Sequence, residues 1–198
     1  MCIIAIKNPG VQFPTLATVE TMCDHNPDGF AVVWHRAGDK QSRVYRTMDR
    51  EKFLKRYGMI TRNCDYRTTA LYIHARIATH GSLRINNCHG FVDHKSRLCF
   101  AHNGILYNIP TRDDLTDSET FFRDYFIPTF RHGGWREAER LIKDTIGYSK
   151  FVFMDGDGNI RRYGDYIKDE NGVLYSNSSF RTHEYFYFNK AWKAEKLL

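Results

Sequence analysis

The chain opens directly on an apolar strand. Met1-Cys2-Ile3-Ile4-Ala5-Ile6 precedes the first charge at Lys7, and a run of that length and composition is stable only when buried in a sheet. The fold must therefore take up its own N-terminus, with residue 2 at the edge of the core. Two readings of Cys2 follow. It is either an ordinary buried thiol at the head of a strand, the commoner case, or a nucleophile. If Met1 is trimmed, Cys2 carries a thiol and a free α-amine on one Cα, with unperturbed pKa values near ~8.5 and ~8. A nucleophile activated by its own amine is an established form of covalent catalysis.

Pro9-Gly10 ends the first strand, and a helical pattern follows over 15–22. Asn26-Pro27-Asp28-Gly29 is a tight turn before a strand over 30–34, which returns over 44–46 across Gly38-Asp39. Asp49 is placed to cap a helix running to about residue 57, and strands are expected over 71–78 and 98–101. Thr116 or Asp117 starts a helix carrying Phe121, Phe122 and Tyr125, which Pro128 is expected to close. Gly134-Trp135 opens another, with Ala138, Leu141 and Ile142 on one face. Strands over 151–154, 160–163, 173–175 and 184–188 complete the pattern. Strands, then two central helices, then strands predict layered α+β packing, read as one domain over 1–198.

Composition narrows the class. Hydrophobic residues make up 42% and aromatics 15% of the 198 residues, enough for a sizeable core. The start lacks a basic leader, and no apolar run approaches the ~18 residues of a membrane helix; a soluble, cytoplasmic protein with no membrane partner is expected. The five cysteines are odd in number and loosely spaced, which favours reduced thiols. Cys99-x-x-His102 has no matching second pair, so neither a metal nor another cofactor is expected. Asp155-Gly156-Asp157-Gly158-Asn159 imitates a calcium loop, but Ile160 and Tyr166 stand where the loop needs Gly and Glu, and a hairpin turn explains it better. The net charge of +6 is the only support for a nucleic-acid partner. Its basic residues are scattered and no nucleic-acid motif accompanies them, so a solvated surface is expected.

Four further segments bear on Cys2. His74-Ala75-Arg76-Ile77-Ala78-Thr79-His80-Gly81 ends a strand with an arginine able to grip a carboxylate. Asn86-Asn87-Cys88-His89-Gly90-Phe91 follows. In Phe100-Ala101-His102-Asn103-Gly104-Ile105, an Asn amide and a Gly backbone N–H can face one oxyanion. Asp117-Ser118-Glu119-Thr120 places a carboxylate at a helix start, able to bind an ammonium group. Each alone reads as a turn, a cap or a surface charge. Their order and joint occurrence carry the signal.

Together they resemble the class II glutamine amidotransferase domain, a family of N-terminal nucleophile hydrolases. The family pattern is an N-terminal cysteine, an Asp-Gly turn before an apolar strand, R-x-A-T-H-G, N-x-H-P-F, A-H-N-G and a helix-opening D-T-E. Here these are Cys2, Asp28-Gly29-Phe30, Arg76 to Gly81, Asn87-Cys88-His89-Gly90-Phe91, Ala101 to Gly104 and Asp117-Ser118-Glu119. Gly90 replaces the usual proline, Ala31 a common second glycine and Ser118 a threonine. The resemblance implies an α+β, four-layer αββα sandwich of two mostly antiparallel sheets between helices. It implies Cys2 as nucleophile, with Asn103 and Gly104 holding the oxyanion. Arg76 and Asp117 would bind the two charged ends of L-glutamine, and Gly29, Thr79 and His80 would shape the pocket. It further resembles stand-alone bacterial or bacteriophage members, which implies a separate acceptor-activating synthetase as partner. The competing expectations are an N-terminal nucleophile hydrolase of a different amide, and a silent protein of this fold that binds nucleic acid or a partner enzyme.

Overall fold

The computed structural model describes residues 1–78, 83–111 and 115–182. Strand β1 (Ile3–Lys7) is buried along its whole length. It lies between β4 (Ala70–Ala75) and β10 (Leu174–Tyr175), antiparallel to both. With β2 (Phe30–His35), β3 (Arg43–Thr47) and β9 (Ile167–Lys168) these form a six-stranded sheet in the order β3-β2-β4-β1-β10-β9.

The alternation of β1 shows why it has no polar face. Ile3 and Ala5 pack with Val19, Met22, Phe53 and Tyr57 of two helices, α1 (Leu16–His25) and α2 (Arg50–Asn63). Ile4 and Ile6 point the other way, into a layer with Tyr72, Ala101, Val152 and Met154. Covered on both faces, β1 is apolar over residues 3–6, and its one charge, Lys7 at the far end, is buried with its ammonium donating to the Tyr66 and Thr69 carbonyls. α2 begins at its expected cap, Lys52 N–H donating to Asp49 Oδ1 (3.0 Å), and α1 begins one residue after Thr15, whose Oγ1 accepts from Thr18 N–H (3.1 Å).

A second sheet, β5-β6-β7-β8, comprises Phe91–Asp93, Leu98–Asn103, Lys150–Asp155 and Ile160–Tyr163. Cys99 and Ala101 of β6 face the first sheet, whereas Phe100 faces an aromatic layer of Phe121, Phe122, Phe126, Phe151 and Phe153. Beyond that layer lie α3 (Asp117–Thr120), a π-helical turn over Phe121–Phe126 and α4 (Ile127–Thr145). The result is the expected α+β, four-layer αββα sandwich, and every pairing among the described residues is antiparallel. No helix among them is long and apolar enough to cross a membrane.

Several boundaries differ from expectation, α2 among them: expected to end near residue 57, it runs to Asn63. Pro128 does not close a helix; it stands at the start of α4, where its missing N–H is not needed. The break falls instead at Gly134, with φ 62° and ψ −159°, a conformation essentially reserved for glycine. The strand expected over 71–78 ends at Ala75. Arg76 then stays attached by two backbone bonds, donating to Gly29 O (2.8 Å) and accepting from Asp28 N (2.9 Å). The calcium-like loop is a self-capped hairpin turn, Asp155 Oδ1 accepting from Asp157 N and Asn159 N at 2.9 Å each. The strand expected over 184–188 lies outside the described residues.

Candidate active site

β1 delivers Cys2 to one end of the six-stranded sheet. Its carbonyl accepts from Asn177 Nδ2 at 2.7 Å and its thiol donates to Ile77 O at 3.6 Å. Met1, immediately before it, is 73% exposed. Burial pushes the Cys2 thiol pKa up, against the opposing pull of the Ile77 contact, the N-terminal ammonium and the Arg76 guanidinium.

The thiol opens on a cavity of about 360 Å³ lined by Cys2, Arg76, Gly104 and Asp117 together with His89, Ser118 and an apolar wall that includes Ile77, Ile105, Leu106 and Ile109. Four of the residues named from sequence, far apart in the chain, thus converge on one space. A larger groove of about 540 Å³ runs between α1 and α2, and neither a cysteine nor a histidine lines it.

Each converging residue is held by a specific local cause. Arg76 is 3% exposed and fixed through its backbone to the Asp28-Gly29 turn. Gly29, expected to shape the pocket, does not line the cavity; it holds the Arg76 backbone, with φ +133° and Cys88 Sγ 2.5 Å from where a Cβ would stand. Gly104 follows β6 at φ +143°, and a Cβ there would meet Ser149 Oγ at 2.2 Å and Ser149 Cα at 2.9 Å. Both the backbone angle and the neighbour therefore demand glycine. The Asn103 side chain is buried beside the cavity rather than lining it, with Nδ2 donating to Ser176 Oγ at 2.8 Å. Asp117, the first residue of α3 after the Thr116 cap, accepts from Leu106 N (2.8 Å) on one oxygen and from Ser118 N (2.7 Å) and Ser118 Oγ (3.1 Å) on the other. It pins the 104–109 turn to α3 while keeping lone-pair capacity toward the cavity. Thr79 and His80 lie outside the described residues.

Below the cavity three buried imidazoles stack. His74 and His89 ring centroids are 4.0 Å apart at 17°, and those of His89 and His102 6.2 Å at 12°. His89 Nδ1 accepts from His102 N at 3.1 Å, so that nitrogen carries no proton. His102 Nδ1 lies 2.7 Å from Ser118 Oγ, which in turn reaches Asp117. Ser118 can donate only one proton, so with Asp117 as its acceptor, His102 is the donor to Ser118. Burial holds all three neutral: His74 is pushed down to about 3, His102 to about 4, and His89 well below the usual histidine range. Among the described residues no group of three or more His, Cys, Asp or Glu side chains is arranged to hold a metal.

Sequence reasoning assigned no role to these three histidines, although all of them stand inside the quoted segments. It also passed over Ser176 and Asn177, whose only signal is the polar run Ser176-Asn177-Ser178-Ser179 directly after a strand.

The family model for class-II glutamine amidotransferases matches residues 1–125. The chain belongs to that family. The match contains all the site residues named from sequence, whereas Ser176 and Asn177 fall beyond it. No curated protein sequence matches the chain. Among solved structures, glutamine phosphoribosylpyrophosphate amidotransferase from B. subtilis, complexed with ADP and GMP, superposes at TM-score 0.55 and 13% identity. A structure described as the allosteric regulatory enzyme of purine biosynthesis superposes at TM-score 0.56, also at 13% identity. Each covers 89% of this chain, which spans 42% of the length of either. A class-II glutamine aminotransferase domain protein from Silicibacter pomeroyi matches at 18% identity and TM-score 0.44, over 88% of this chain and 87% of its own. At these identities the likeness to solved structures is one of fold, and family membership rests on the sequence match.

Proposed function

We propose that the chain hydrolyses the side-chain amide of L-glutamine through Cys2 and releases ammonia for transfer. The observation that carries this reading is the convergence of a thiol, a buried guanidinium, a carboxylate and a glycine backbone on one cavity of about 360 Å³. A zwitterionic amino acid needs one cation and one anion for its α-groups and a nucleophile at the far end. That is the set of groups gathered there.

In the proposed mechanism Met1 is first removed, because its peptide bond makes the Cys2 nitrogen an amide that cannot take a proton. The freed α-amine accepts the thiol proton as Sγ attacks the amide carbon. The Asn103 amide and Gly104 N–H stabilise the tetrahedral oxyanion, and loss of one such donor typically costs about 2.7–4 kcal/mol of barrier stabilisation. The C–N bond breaks, ammonia leaves with the proton held on the amine, and a γ-glutamyl thioester remains. Water, deprotonated by the same amine, attacks the thioester and releases glutamate. Arg76 binds the substrate α-carboxylate and Asp117 its α-ammonium. Exposed Met1 is open to trimming, and once the freed α-amine has taken the thiol proton, the ammonium formed beside Sγ stabilises the thiolate that burial disfavours.

The test pairs intact mass with a glutamate-release assay on the wild type and Cys2→Ala. The expected result is a processed N-terminus in the active wild type, and in the mutant a loss of at least about 10⁴-fold. Activity surviving in Cys2→Ala, or residing in protein that retains Met1, overturns the mechanism.

A further inference from the structure

Ser176 stands beyond the family match, yet it touches both strands that build the site. Its Oγ accepts from Ile4 N–H at 2.8 Å, two residues after the nucleophile, and from Asn103 Nδ2 at 2.8 Å, the side chain assigned to the oxyanion. Its own N–H donates to Ile4 O at 2.9 Å. Next to it, Asn177 Nδ2 holds the Cys2 carbonyl at 2.7 Å, while Asn177 Oδ1 accepts from Ser179 N and Oγ at 3.0 and 2.6 Å. The end of the six-stranded sheet thus clamps the nucleophile strand and the oxyanion strand together.

The hydrogen-bond count at this clamp is unbalanced. With both of its bonds accepted, Ser176 Oγ has used its lone pairs and its hydroxyl proton has no assigned acceptor. Asn103 Oδ1 is buried without a partner. One rearrangement resolves both. If the Asn103 amide turns by 180°, the Ser176 hydroxyl donates to Oδ1 while still accepting from Ile4 N–H. Both Asn103 Nδ2 hydrogens then become available. A buried donor left uncommitted in the resting protein is what stabilises a charge that exists only in the transition state.

We infer that Ser176 is a positioning residue that fixes the Asn103 amide by donating its hydroxyl to Oδ1, so that Nδ2 faces the oxyanion. The inference rests on the glutaminase reading above and adds a residue outside the matched portion of the chain. Ser176 touches no substrate; its effect passes through Asn103.

A double-mutant cycle on the full chain tests it, with melting curves recorded for each variant. Asn103→Ala is expected to lower kcat by about 10²–10³-fold. Ser176→Ala is expected to lower it by about 10- to 100-fold with KM within about threefold, as for a donor needed only in the transition state. Adding Ser176→Ala to Asn103→Ala should then cost less than about twofold more, because the residue it orients is already gone. If Ser176→Ala does not fold, Ser176→Cys keeps the volume, offers a far weaker donor and reads the same cycle. Wild-type kcat in the Ser176 variant, a loss confined to KM, or a loss that multiplies in full upon that of Asn103→Ala overturns the inference while leaving the glutaminase reading intact. A wild-type protein with its N-terminus processed that releases no glutamate overturns that reading, and this inference with it.

Discussion

Two depressions among the described residues differ in the opposite sense to their size. The groove between α1 and α2 is about 540 Å³ and the cavity at Cys2 about 360 Å³. The groove is walled by neighbouring turns of two helices, and its charges, Glu20 and Glu51 against Lys55 and Arg62, are of the kind that solvated helix faces carry. The cavity draws its wall from residues 2, 76, 104 and 117, each delivered by a different strand end or helix start. Volume says where a ligand can fit. What marks a reactive site is how many independent elements aim functional groups at one point.

The largest break in that comparison is expected at Gly104. Its backbone angle and the Ser149 backbone both exclude a Cβ, so Gly104→Ala must shift the N–H proposed to face the oxyanion. Glutamate release should fall by about 10²–10³-fold, measured as kcat at saturating glutamine. An alanine variant with wild-type kcat removes Gly104 from the mechanism.

Acid should weaken the protein beneath the cavity before it affects the groove, which no histidine lines. His74, His89 and His102 are buried and neutral, facing one another, Arg76 and the Ser118–Asp117 pair, and burial is the chief cause of their lowered pKa values. The unfolded chain binds protons below about pH 6.5 that the folded chain refuses until far lower. Their contribution is therefore complete above pH 6.5 and is lost as the pH falls toward the folded values of about 4 for His102 and about 3 for His74. Each histidine contributes up to about 1.4 kcal/mol per pH unit, so the three together should lose on the order of 5 kcal/mol between pH 6.5 and 5. Urea melts at the two pH values measure it, and His74→Leu should flatten the dependence by about a third. An unchanged slope in that variant means that His74 is not a source of the acid sensitivity.

Neither the histidine stack nor the Ser176 clamp was legible as such in the sequence, whereas most of the scaffold was. Apolar runs marked β1, β2 and β6 because strands buried on both faces tolerate little else. Asp49 marked a helix start because its side-chain oxygen satisfies an N–H group a helix leaves open, and Thr15, read only as the first residue of a helical pattern, does the same for α1. The helix end at Pro128 was misread for a positional reason: proline breaks a helix from within but suits its first turn, and the π-helical turn before it made Pro128 a beginning. At the site, the motifs named Cys2, Arg76, Gly104 and Asp117, which line the cavity. They could not show that His74, from the first sheet, would lie 4.0 Å from His89. Nor could they show that a serine after the last short strand would reach both β1 and Asn103. Such contacts are set by how two sheets stack, and no local spacing records that.

A smaller effect, sharper in kind, is expected at Arg76. Arg76→Lys keeps the charge but loses the planar fork that matches a carboxylate. If this residue binds the α-carboxylate in both ground and transition states, KM should rise by about 10-fold with kcat within about threefold. A fall in kcat at unchanged KM would instead give Arg76 a part in the reacting end of the cavity, through the positive charge it lends to the Cys2 thiol.

The smallest effect tests the comparison from the other side. Lys55 is exposed on α2 in the larger groove, with no assigned bond to the cavity. Lys55→Ala should change stability by no more than about 0.5 kcal/mol, as surface substitutions do, and steady-state glutamate release by less than about twofold. The inner face of α2 packs against the side of β1 that carries Ile3 and Ala5, so a path from the groove to Cys2 exists through the strand itself. Lys55 points away from that path, into solvent. A tenfold loss in Lys55→Ala would mean that the groove acts on Cys2 through β1, and that its greater volume had been the better guide after all.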